Sequence, residues 1–176
     1  MELLQTIREV IDLRSFSNLW YWIGLAVIWS SASHWVLGVP YDLIQRAQRQ
    51  GGEVLADLQD IVRVNVNRYL YVGHTAGHWL IAVACAFFAS LAIAGWYYRA
   101  EFCQALFLLL FPMLFVGALS MHRANQIAAT TPVGDALFKI LHRHRVQTQG
   151  IGILAIFVAA TWGMYMNLEV GPFGNY

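Results

Sequence analysis

Charge is the scarcest property of this sequence. Only 12% of its 176 residues are Asp, Glu, Lys or Arg, about half the share of a soluble domain. That is too few to cover a water-facing surface. The formal net charge of +1 excludes the strongly basic field that holds a nucleic acid. Two cysteines, Cys85 and Cys103, cannot build a disulfide scaffold and form no CxxC pair. No phosphate-binding Gly-rich loop, GxSxG or HExxH occurs, so the common signatures of nucleotide-binding and hydrolytic chemistry are missing. Gly51-Gly52 reads as a helix break. What is abundant is apolar. Hydrophobic residues make up 59%, aromatics 14%, and the mean hydropathy is +0.52. The class that remains is a small integral membrane protein.

A spanning helix needs roughly 20 mostly apolar residues, because the hydrocarbon is about 30 Å thick and each helical residue rises about 1.5 Å. Four stretches free of Asp, Glu, Lys and Arg are long enough, and they predict spans over 16–39, 73–98, 102–121 and 147–168. Trp20, Tyr21, Trp22, Trp35, Tyr41, Trp96, Tyr97 and Tyr98 mark their ends, as aromatic belts do at the headgroup level. No carboxylate or Lys lies within a span, which argues against a proton relay or ion-coupling site.

Between the spans the pattern stays helical. Residues 2–13 carry apolar groups at helical spacing among acids and Arg and predict an amphipathic surface helix without a signal peptide. Helices are also expected over 41–50, 54–70 and 132–145. The alternating V-R-V-N-V-N at 62–67 admits a strand, but an isolated strand beside a bilayer leaves unpaired edges, so helix is preferred. Thr131 before Pro132 predicts an N-cap with Pro at the first helical position. Lys139, Arg143 and Arg145 gather near that helix's end and predict a basic patch facing anionic lipid.

The basic residues also predict orientation. Arg46, Arg49, Arg63, Arg68, Arg123, Lys139, Arg143 and Arg145 make eight between spans one and two and between spans three and four; Arg8, Arg14 and Arg99 make three on the opposite side. The positive-inside rule then places both long loops in the cytoplasm and both termini in the periplasm.

Small residues in rows let helices approach closely where lipid gives no hydrophobic push. Ala82, Ala86, Ser90 and Ala94 form one such row, and Ala155, Ala159 and Gly163 another; both are expected to face other helices. Pro112 is expected to kink the third span or free a carbonyl. All six histidines, at 34, 74, 78, 122, 142 and 144, fall on the predicted cytoplasmic side. His78 and His74 lie one turn apart on the row of Ala82, within reach of His34 and His122 from neighbouring helices. These four are the candidate ligands for haem b or a metal, which needs imidazoles converging from different helices. Interfacial histidines bonded to headgroups and water are the simpler explanation, and no cofactor is the primary expectation.

Three strings carry a resemblance: R-S-F-S-N-L-W at Arg14–Trp20, A-S-H-W-V-L-G-V-P at Ala32–Pro40 and V-N-V-N-R at Val64–Arg68. They resemble a family of small four-helix inner-membrane proteins of alphaproteobacteria, one associated by name with the sulfur-mobilising iron–sulfur assembly complex. The resemblance covers roughly the first two-fifths of the chain well and the rest loosely. No catalytic motif comes with it, so it assigns no functional residue.

The expectation is therefore an all-α integral membrane protein in a single domain, residues 1–176. It has four transmembrane helices, an amphipathic N-terminal helix and helical cytoplasmic loops. It sits multi-pass in a bacterial inner membrane, touching lipid and other membrane subunits. The leading function is a non-catalytic accessory or assembly subunit of a larger complex. A small b-type cytochrome or metal protein is the alternative, and a channel or transporter is the third.

Overall fold

The computed structural model describes Phe16 and residues 19–169; the helix expected over 2–13 lies outside the described residues. The described chain is nearly all helix. Helix α1 (Leu19–His34) has 16 residues, roughly 24 Å of rise, and is shorter than the expected span over 16–39. Its end turns into a hairpin of β1 (Trp35–Val36) and β2 (Val39–Pro40), with Trp35 opposite Pro40 and Val36 opposite Val39. The two turn residues, Leu37 and Gly38, have φ of 52° and 75°, the left-handed conformation that two-residue hairpin turns demand. Strand thus forms at 35–36 and 39–40, at the tail of an expected span, and 62–67 is helix.

Helix α2 (Tyr41–Gln50) buries Ile44 and Ala47 and is closed by Gly51, whose φ is 62° and whose N–H donates to the Ala47 carbonyl. Helix α3 (Gly52–Ala92) follows with 41 residues, roughly 61 Å and twice the hydrocarbon thickness. The helix expected over 54–70 and the span expected over 73–98 are one continuous rod. Polarity changes along it, but nothing between Leu70 and Gly73 interrupts the backbone hydrogen bonds. It ends in a π-helical turn, Ile93–Tyr97. There Gln104 Nε2 donates to the Gly95 carbonyl at 2.7 Å, and Trp162 Nε1 donates to Gln104 Oε1 at 3.0 Å.

Helix α4 (Glu101–Thr130) carries Pro112 inside it and closes at Thr131, φ 39°, whose N–H donates to the Ile127 carbonyl at 2.8 Å. Thr131 is therefore the C-cap of α4, and not the N-cap of the next helix. Pro132 has no N–H to extend α4, and Gly134 (φ 58°) makes the turn. Helix α5 (Asp135–Glu169), 35 residues, then joins the expected helix over 132–145 to the expected span over 147–168.

Helix α4 packs between α3 and α5, and α1 lies against α5. Two apolar clusters hold this arrangement. The loop-side cluster gathers Val36, Leu37 and Val39 of the hairpin, Ile44 and Ala47 of α2, Leu58, Val62 and Val66 of α3, Ala124 and Ile127 of α4, and Leu137 and Leu141 of α5. The second joins Leu25 and Trp29 of α1 to Ala155 and Ala159 of α5.

Three helical stretches, Gly52–Tyr97, Glu101–Thr130 and Asp135–Leu168, are long and apolar enough to cross a membrane. Trp79 (76% exposed), Ile81, Val83, Ile153 and Phe157 stand outward on them. Such continuous apolar surface belongs against lipid. About 20 residues of rise from the Trp96–Tyr98 belt reach Gly77 on α3; the same rise from that end reaches Ser120 on α4 and Thr148 on α5. The loop-side cluster thus lies beyond the apolar slab, as a helical cap with its own core.

Candidate functional site: a buried polar layer between two helices

The two apolar clusters are separated by a layer of polar side chains contributed by α4 and α5. Ser120 and Arg123 lie one turn apart on α4; Gln147 and Thr148, side by side, lie one turn from His144 on α5. Arg123 is 5% exposed, His144 1% and Thr148 1%. Ser120 Oγ is 3.0 Å from His144 Nε2 and also donates to the Val116 carbonyl at 2.8 Å. The Arg123 guanidinium donates to Gln126 Oε1 at 2.6 Å and to Gln147 Oε1 at 2.7 Å. Among the described residues no carboxylate pairs with Arg123; the ion pairs found are Arg63–Asp60 and His34–Asp42. Three atoms of the layer have no hydrogen-bond partner among the described residues: Arg123 Nε, His144 Nδ1 and Thr148 Oγ1.

The Ser120–His144 distance is that of a nucleophile and its base. However, both side chains are buried, and among the described residues no group hydrogen-bonds His144 Nδ1 to orient it. Their contact ties α4 to α5 at the level where the helices leave the apolar slab.

The residues singled out from sequence take other places. His74 and His78 on α3 and His122 on α4 are exposed, and His34 at the end of α1 sits 3.9 Å from Asp42. His74 and His122 share one level, because Gly73 meets Met121 so closely that an added Cβ would lie 2.6 Å from Met121 Cε. The four are not gathered at one point: among the described residues no group of three or more His, Cys, Asp or Glu could hold a metal ion. The buried histidine is His144, outside the expected four.

Lys139 and Arg143 are exposed. Arg145 is not free for lipid; its guanidinium lies 3.5 Å over the Tyr41 ring, a cation–π contact that fastens α5 to α2. Of the two small-residue rows, Ala155, Ala159 and Gly163 are buried, with Gly163 against Phe16. Ala82, Ala86 and Ser90 point away from the rest of the chain and Ala94 is half-buried.

Sequence reasoning missed Ser120, Arg123, Gln147 and Thr148. Their signal was a helical spacing of polar groups where two apolar runs end, S-M-H-R at 120–123 and H-R-V-Q-T at 144–148. No protein-family model, no curated protein and no solved structure matches this chain.

Proposed function

We propose that this chain is a non-catalytic membrane subunit, accessory to a larger complex of a bacterial inner membrane or assisting its assembly. In this reading α1 is a fourth crossing, lengthened by the hairpin that follows it. Both termini face the periplasm, and the helical cap lies in the cytoplasm. The proposal also places the chain in the four-helix inner-membrane family that its motifs resemble.

One observation carries the reading. The most apolar stretch of α3 is only 6% buried within its own chain, against 22% for α5. The row that faces out from it, Ala82, Ala86 and Ser90, is the kind that brings helices together in lipid. The α5 row already meets α1 through Ala155 and Ala159; the α3 row remains available to a partner subunit. The enclosure of Ser120 and His144 supports a role without catalysis.

Purification from native membranes in mild detergent tests this. A larger subunit should accompany the chain in constant ratio. Ala86→Leu should lose it, while Phe87→Leu, off the row, should keep it. Recovery of a lone homo-oligomer from wild-type membranes would sink the proposal. A Soret band in the purified protein, removed by His78→Ala, would favour the cytochrome instead.

A further inference from the structure

The polar layer is closed, but the cap beyond it carries a cleft. It lies between α2 and the first two turns of α5 and has a volume of about 460 Å³. Its floor is the outer side of the loop-side cluster. Ile44 is buried there, and Tyr41 and Phe138 pack against the cluster but remain half-buried. Apolar side chains, two of them aromatic, thus line a depression in the surface of the cap, where the anchors of a partner usually seat.

The cleft lies outside the bilayer. Thr148 marks the edge of the apolar slab on α5. From there His142 stands roughly 9 Å outward and Asp135 roughly 20 Å, whereas headgroups extend about 5–8 Å beyond the hydrocarbon. Lipid therefore does not cover the floor.

Charge around the cleft is one-sided. Lys139 and His142 line it, Arg143 is exposed beside His142, and the Arg145 guanidinium rests on the Tyr41 ring. Asp135 is the one carboxylate in the lining, at the end farthest from the membrane. Among the described residues it forms no ion pair with Lys139, although the two lie one turn apart. The membrane-near part of the cleft therefore presents an apolar seat beside unanswered positive charge.

We propose that this cleft receives a short acidic amphipathic segment of the partner subunit, an inference that rests on the subunit reading above. Apolar side chains of the segment seat against Tyr41, Ile44 and Phe138, in the manner of a helix laid into a groove. Its carboxylates lie toward Lys139 and Arg143. Asp135 repels them from the far end, so the charges also set the direction of the segment. A small molecule fits less well, because the cleft is open along one side and would leave much of such a ligand in water. The α3 row and the cleft then divide the work: the row brings helices together within lipid, and the cap selects the partner by charge.

The test uses the full chain in native membranes, with a benzophenone amino acid placed singly at Gln48, Gln50 or Val83. Gln48 lines the cleft, Gln50 lies on the far side of α2, and Val83 stands beside the α3 row. After irradiation, the copurifying subunit should be crosslinked from Gln48 and Val83 but not from Gln50. The segment captured from Gln48 should carry Asp or Glu among apolar residues. Lys139→Glu should lower the Gln48 yield about fivefold and leave the Val83 yield unchanged. Gln48 and Lys139 are both exposed, so neither replacement touches the core. Crosslinking from Val83 without Gln48 overturns this inference and spares the subunit reading. So does capture from Gln48 of phospholipid, of a second copy of this chain or of a segment without acids, and so does a Gln48 yield indifferent to Lys139→Glu. If no subunit accompanies the chain at all, the subunit reading falls and this inference falls with it.

Discussion

Gly152 and Gly77 sit in the same kind of apolar helix, and their surroundings give them opposite roles. A Cβ placed on Gly152 would lie 2.7 Å from Trp29 Cε3, in the contact between α1 and α5, whereas one placed on Gly77 would meet nothing within 4 Å. Gly152→Ala must push the indole aside, and overpacking of this kind costs about 1–3 kcal/mol. Gly77→Ala restores ordinary helix propensity, a gain of up to about 1 kcal/mol. Unfolding midpoints of the two variants in one detergent should move in opposite directions; equal shifts would show that α1 does not rest on Gly152. The sequence carries both glycines in similar strings, and helical spacing alone does not say which one has a neighbour. The same limit applies to the histidines. Six were legible as one layer at one end of the spans, and His144 fell on an apolar stripe with Leu137 and Leu141. Which imidazole is enclosed depends on which helix lies opposite, and only the packing of α5 on α4 selects His144.

Elements were more legible than their ends. Charge-free apolar runs for the spans and a helical pattern between them marked every helix described, including α2 over 41–50. The Gly51–Gly52 break falls where its glycines put it, but the breaks expected between 70 and 73 and between 145 and 147 do not exist, because polarity was used to locate them. A change from wet to apolar surroundings alters the side chains a helix carries but does not interrupt its backbone hydrogen bonds, so α3 and α5 each run on as one rod. The real breaks fall where the backbone takes positive φ, at Leu37–Gly38, Gly51–Gly52, Arg99, Thr131 and Gly134. Leu37 is the least legible, since a bulky residue rarely adopts that conformation. It is tolerated because its side chain is 1% exposed in the loop-side cluster. Leu37→Gly would relieve strain of about 1 kcal/mol while removing a buried side chain worth about 2–5 kcal/mol. A net loss of about 1–4 kcal/mol in chemical unfolding is expected. A gain in stability would show that strain outweighs burial at the hairpin tip.

For the whole molecule, the fold fixes which parts share a side even before a membrane is drawn. Phe16 N donates to Glu101 Oε1 at 2.8 Å, so the start of α1 lies at the same end as the turn between α3 and α4. The hairpin, α2, the first half of α3 and the turn between α4 and α5 meet in the loop-side cluster at the other end. Among the described residues the loop-side end carries Arg46, Arg49, Arg63, Arg68, Arg123, Lys139, Arg143 and Arg145 and the other end Arg99, and the orientation proposed above puts that excess in the cytoplasm. Side-specific labelling tests this. In a background with Cys85 and Cys103 replaced by Ser, a cysteine at Ala100 marks the turn after the π-helical segment, and one at Gly51 marks the break between α2 and α3. Replacing Cys103 matters because it lies within one turn of Ala100. An impermeant thiol reagent added to intact cells should modify the cysteine at Ala100 and spare the one at Gly51, which should react only after the membrane is opened. The reverse pattern would turn the molecule over and place the cap in the periplasm. Equal reaction from one side would remove the odd number of crossings between the two positions, and with it the reading of α3 as a span.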